Sequence, residues 1–68
     1  MITYRLDWDA EDGAMGLETY TDELDAQNDL DEMIQDGSIT YASITKIETY
    51  GGMVLDMDVI REYEKQEA

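Results

Sequence analysis

The sequence contains no cysteine, no histidine and no proline, and only four basic residues against eighteen acidic ones. Without cysteine there is no disulfide staple, no thiolate metal ligand and no thiol nucleophile; without histidine there is no imidazole zinc ligand and no Ser-His-Asp triad. No apolar run approaches the roughly 18 residues of a membrane span, and the opening Met-Ile-Thr-Tyr-Arg-Leu-Asp-Trp alternates instead of forming a signal-peptide core. The expected compartment is the cytoplasm. Positive charge is the scarcest commodity. Between Arg5 and Lys46, forty consecutive residues carry no basic side chain, and that stretch holds twelve of the carboxylates in a chain of net charge -14. Such a surface is repelled by anionic lipid and by nucleic acid, which argues against a membrane or a direct nucleic-acid partner. It must be held by solvent cations or presented to something basic.

What is present suffices for a fold. Sixty-eight residues make a single small domain, residues 1–68, of a size that buries only about 60% of its unfolded surface, so a large enclosed active site is not expected. The hydrophobic fraction of 43%, with Trp8, five tyrosines and many aliphatic residues, is too high for a disordered chain despite the charge.

Residues 2–8 alternate, Ile2, Tyr4, Leu6 and Trp8 against Thr3, Arg5 and Asp7, the period of a half-buried strand. After a loop at Asp9 to Gly13, Met15, Leu17 and Thr19 alternate with Gly16, Glu18 and Tyr20, which predicts a hairpin return strand. Thr21, ahead of Asp22 and Glu23, is the expected cap of a helix over 22–36 that ends at Asp36-Gly37. On it Ala26, Leu30, Met33 and Ile34 share one arc, with Leu24 and Gln27 toward its edge. Residues 39–50 form a further strand in which Ile44 and Ile47 are out of phase, implying a bulge or contacts on both sides. Gly51-Gly52 provides a tight turn, and a fourth strand starts at Met53. Beyond Asp58 two readings compete: the strand runs on to about Tyr63, or Asp58 caps a short C-terminal helix. The expected fold is α+β, an antiparallel sheet of about four strands with one helix on one face, in the order ββαββ. The other face, with Tyr20, Tyr41 or Tyr50 upon it, is available for self-association into a homodimer.

Within the helix, Asp22, Asp25, Asp29, Glu32 and Asp36 are spaced 3, 4, 3 and 4, so five carboxylates project along one ridge roughly opposite part of the apolar arc. The ridge is roughly 21 Å long, with successive acids about 4.5 to 6 Å apart along the axis, distances comparable with those between nucleic-acid phosphates. Like charges at this spacing each destabilise a helix by a few tenths of a kcal/mol, and no Lys or Arg is interleaved to offset them. Mixed signs are the habit of an ordinary solvated helix. The plain alternative is that the ridge is just the solvent face of an amphipathic helix.

Asp7, Asp9, Glu11 and Asp12 form a second cluster beside the first hairpin loop, with Glu18 across from it. Taken from Asp7, these acids approach a calcium-loop spacing, but the sharp-turn glycine falls one place late and the flanks are strands, so no metal or other cofactor is expected. Paired carboxylates need a sheltered cleft to act as acid and base, and this chain offers little shelter; it is not expected to be an enzyme.

In size, charge and element order the chain resembles the small, very acidic α/β proteins of phages and mobile elements, including anti-CRISPR proteins and other DNA mimics. The likeness rests on the cluster from Asp7 to Glu18 and on the ridge Asp22, Asp25, Asp29, Glu32 and Asp36, about half the chain. It implies a stoichiometric inhibitor of a basic, nucleic-acid-binding host protein or complex, contacted through those ten carboxylates. A competing expectation is adaptation to high salt, in which the acids only keep an ordinary domain soluble; a calcium-responsive module built on the first loop is a third, and a small structural or assembly subunit a fourth.

Overall fold

A computed structural model describes residues 1–66. Five elements follow in the expected order: β1 (Ile2–Ala10), β2 (Met15–Tyr20), α1 (Glu23–Asp36), β3 (Ile39–Tyr50) and β4 (Met53–Glu64). All strand pairs are antiparallel, in the spatial order β2-β1-β3-β4. The two 12-residue strands, at about 3.4 Å per residue, account for the 44 Å long axis of a body only 20 and 17 Å across in its other directions.

Strand register decides which side chains face the helix. Leu6 lies opposite Glu18 on β2 and Ile44 on β3, and Trp8 opposite Gly16 and Ala42, so these share one face. Beneath α1 this face supplies Leu6, Ile39, Ala42 and Ile44, which close over Ala26 and Leu30 of the helix; Tyr4, Trp8, Tyr20, Met33, Ile34, Ile60 and Tyr63 pack around them. Adjacent residues point the other way, and that face has no helix over it. It carries Met15 and Leu17 of β2, Tyr41 and Ile47 of β3, and Val54, Met57 and Val59 of β4, most of them exposed. The two isoleucines of β3 are out of phase because one serves each face: Ile44 is fully buried under α1, whereas Ile47 lies opposite Thr3 and Met57 on the open side.

Three details refine the expectation: one corrects it, one decides between the two readings beyond Asp58, and one separates the three tyrosines. The helix is capped by Asp22, not Thr21: Asp22 has extended backbone angles and its carboxylate accepts from the Leu24 amide at 2.8 Å. A carboxylate satisfies the same free amide as a hydroxyl and adds a favourable charge at the positive end of the helix dipole. Second, residues beyond Asp58 stay in the sheet through Glu64, and no C-terminal helix forms. β3 offers a partner along the whole of β4, whereas nine or ten residues of isolated helix would not recover the cost of nucleation. Bulges at Leu55 and Ile60 shift the register twice, which brings Ile60 against the core. Third, Tyr20 lies on the helix side, opposite Tyr4, and only Tyr41 of the three tyrosines is on the open face; Tyr50 is at the β3–β4 turn and highly exposed. That turn and the helix end run as expected, with Gly51 and Gly52 at φ 59° and 83°, and Gly37 at 71° donating its amide to the Ile34 carbonyl, conformations that a side chain disfavours.

Candidate acidic interface

The 3-4 spacing places the ridge on one shoulder of α1, beside β2, and not at its solvent pole. Asp29 fixes this placement: it is half-buried, and its Oδ2 accepts from the Tyr20 hydroxyl at 2.5 Å. Asp22 is committed to the cap, while Asp25, Glu32 and Asp36 are exposed. The opposite shoulder faces β4, where Arg61 donates from Nη1 to Gln27 Oε1 at 2.6 Å and pairs through Nη2 with Asp31 at 2.8 Å.

Tyr20 reports the field on the ridge side. Its hydroxyl is pushed well above the usual phenol range, first by burial, then by the hydrogen bond to Asp29, and then by the negative charges of Asp29, Glu18 and Asp25. Each of these disfavours a phenolate. Three carboxylates, one from β2 and two from the helix, therefore act on one point. Glu18 thus joins the ridge.

The other acids of the first hairpin do not. Asp7 and Asp9 project from the open face of the sheet, because β1 alternates and its Leu6 side is the one beneath α1. Asp7 is paired with Arg5 Nε at 3.0 Å. Glu11 pairs with Lys65, and Asp12 accepts from the Ala14 amide at 2.9 Å to hold the β1–β2 turn. Among the described residues no group of three or more Asp or Glu side chains is arranged to hold a metal ion, and no pocket is enclosed.

The basic residues are spent elsewhere. Arg5, Arg61 and Lys65 pair with Asp7, Asp31 and Glu11, none of which belongs to the ridge. Lys46, on the helix side of β3, lies opposite Asp58 of β4, with β1 between it and β2. The ridge is left to solvent or to a partner. Tyr20 is the contributor that sequence periodicity missed; its signal was that Glu18 and Tyr20 share the phase opposite to Leu17 on β2, and so the phase of Leu6 on β1.

Comparison of the chain with known protein families, with curated proteins and with solved structures finds no match. No helix among the described residues is long and apolar enough to cross a membrane.

Proposed function

We propose that the chain is a non-enzymatic binding protein that presents the α1 ridge, Asp22, Asp25, Asp29, Glu32 and Asp36 with Glu18 beside it, to the phosphate-binding surface of a basic, nucleic-acid-binding protein, and so inhibits it. The observation that carries this reading is that, among the described residues, the ion pairs go to Asp7, Asp31 and Glu11, while no basic side chain pairs with a ridge carboxylate, and Asp25, Glu32 and Asp36 are exposed. A like-charged helix face costs stability, and a cationic groove recovers that cost. The spacing of the acids resembles that of phosphates, and the cap and the Tyr20 contact hold Asp22 and Asp29 in place before any partner arrives, which lowers the ordering cost of binding. Of the second cluster, Asp7, Asp9, Glu11 and Asp12 are left out of this surface.

Association by charge is fast at low salt and weakens as salt rises. The test is the triple variant Asp25→Asn, Asp29→Asn, Glu32→Gln, compared with the unaltered chain for capture of nucleic-acid-binding proteins and for their displacement by competing DNA or RNA. The reading requires loss of capture in the variant with retention of the fold by circular dichroism. Equal capture by both chains would sink it.

A further inference from the structure

We propose that two copies of the chain associate through β4, whose strands pair antiparallel about a two-fold axis at Val59 and join two four-stranded sheets into one of eight. β4 is the outermost strand of the order β2-β1-β3-β4 and is 12 residues long, twice the other edge, β2. Its outer row of backbone N–H and C=O groups is a template for a further strand, and natural edges are normally shielded by short length, Lys and other charges, Pro or bulges; β4 carries two bulges and the acids Asp56 and Asp58, but it is long. Here residues 53–59 are all exposed, five of these seven are apolar, and the strand contains neither Lys nor Pro. Among the described residues six hydrophobic side chains are buried and twelve large ones exposed, a core that self-association would enlarge.

Charge selects the register. Because Leu55 and Ile60 are bulged, Asp56, Asp58, Arg61 and Tyr63 face the helix side, and Val54, Met57, Val59, Glu62 and Glu64 the open side. A two-fold antiparallel pair sets one residue opposite its own copy. Centred on Met57, the pair opposes Asp56 and Asp58; centred on Asp56, Asp58 or Arg61, it opposes two identical charges. Like charges in directly opposed positions are destabilising. Centred on Val59, with the bulged Ile60 passed over in each copy, it sets Asp58 against Arg61 of the second copy, Asp56 against Tyr63, Met57 against Glu62, and Val59 against itself, with no like charges opposed. Arg61 has five donors, and its bonds to Gln27 and Asp31 leave some for this second carboxylate.

The axis stands perpendicular to the sheet, so both helices lie on one side and both acid ridges, on their β2 shoulders, stay exposed at the two ends. Dimerisation and ridge binding are thus independent, and salt separates them. Two bodies of charge -14 repel, so screening strengthens the dimer, whereas it weakens a ridge–cation contact.

The experiment is sedimentation velocity on the full chain from about 1 to 100 µM, at about 50 and 500 mM NaCl. Alongside it, Val59→Cys is compared in air oxidation with Met15→Cys on the opposite edge. Directly opposed residues are about 4.5–5.5 Å apart at Cα, within disulfide reach, and the native chain has no cysteine to interfere. Val59 is half exposed, so substitution leaves the core intact. The proposal expects a dimer whose fraction grows with concentration and with salt, a covalent dimer of the Val59→Cys chain that forms well ahead of Met15→Cys, and dissociation about tenfold or more easier in Val59→Lys. A monomer throughout the range, equal cross-linking at both positions, or a dimer indifferent to Val59→Lys would overturn it. None of those results bears on the ridge, whose own test is the triple variant.

Discussion

Replacement of Gly16 by alanine probes the packing that orients β2, and therefore Glu18 and Tyr20, toward the helix. A Cβ at Gly16 would lie 2.1 Å from Cε2 and Cζ2 of Trp8. Carbon atoms rest at about 3.5–4.0 Å, so the indole must withdraw by roughly 1.5 Å or turn out of its place beside Leu6 and Ala42. Overpacking of this kind costs about 1–3 kcal/mol. Glycine is itself unfavourable within a strand by about 0.5–1 kcal/mol relative to alanine, so the net loss expected for Gly16→Ala is about 1–2 kcal/mol. In a domain of this size each kcal/mol moves the melting temperature by about 4–8 °C. Trp8 is the sole tryptophan, so its emission reports the site directly: thermal melts followed by circular dichroism should shift downward, and the folded-state emission should move to the red as the ring gains water. The decisive control is the Trp8→Leu background, where a smaller side chain leaves room for the methyl group. There Gly16→Ala should be neutral or stabilising, giving a coupling of about 1–2 kcal/mol in the double-mutant cycle. A Gly16→Ala chain with unchanged melting and emission, or the same cost in both backgrounds, would refute the stacking of Trp8 on Gly16.

Tyr20→Phe removes the donor to Asp29 and should lower stability by about 1 kcal/mol, the ordinary net worth of a hydrogen bond. Because the folded-state pKa of Tyr20 is raised, its contribution is complete below about pH 10 and is lost as pH rises above the unfolded value. Urea titrations at neutral pH and above pH 10 should show a steeper alkaline loss in the native chain than in Tyr20→Phe, and absorbance at alkaline pH should show one tyrosine ionising last, absent from the variant. At the helix start, Asp22→Ala should cost about 1 kcal/mol by urea unfolding while Asp22→Asn, which keeps the cap, costs little; equal losses would remove Asp22 from the capping role. With net charge -14, added NaCl should raise the melting temperature by relieving self-repulsion, yet the chain should already be folded at low ionic strength. Unfolding there would favour salt adaptation as the purpose of the acids.

The parts of the fold set by short-range rules were legible in the sequence. Ile2, Tyr4, Leu6 and Trp8 marked β1, Asp36-Gly37 the helix end, and Gly51-Gly52 the last turn, because each depends on alternation or on a positive φ angle that neighbours cannot override. The ridge was legible for the same reason, since helical spacing alone aligns Asp25, Asp29, Glu32 and Asp36. The end of β4 was not: Ile60 and Tyr63, three apart, imitate a helical face, whereas the bulge at Ile60 produces the same inward pair within a strand. Nor was the separation of the two acidic clusters drawn out, although its signal was present. If Leu6 meets the helix, Asp7 and Asp9 on alternate positions must face away from it, and only the position of α1 over the sheet makes that consequence visible. The long acidic stretch is therefore two surfaces, one partly neutralised by Arg5 and Lys65, the other bare.

Whether the ridge binds a partner is tested by capture from a bacterial lysate on the immobilised full chain, at low and moderate salt, against the Asp25→Asn, Asp29→Asn, Glu32→Gln variant. The expected result is recovery of a nucleic-acid-binding protein that competing DNA or RNA releases, whose capture moderate salt weakens, and that the folded triple variant fails to retain. Recovery of no such protein, or its equal retention by the triple variant, would contradict it.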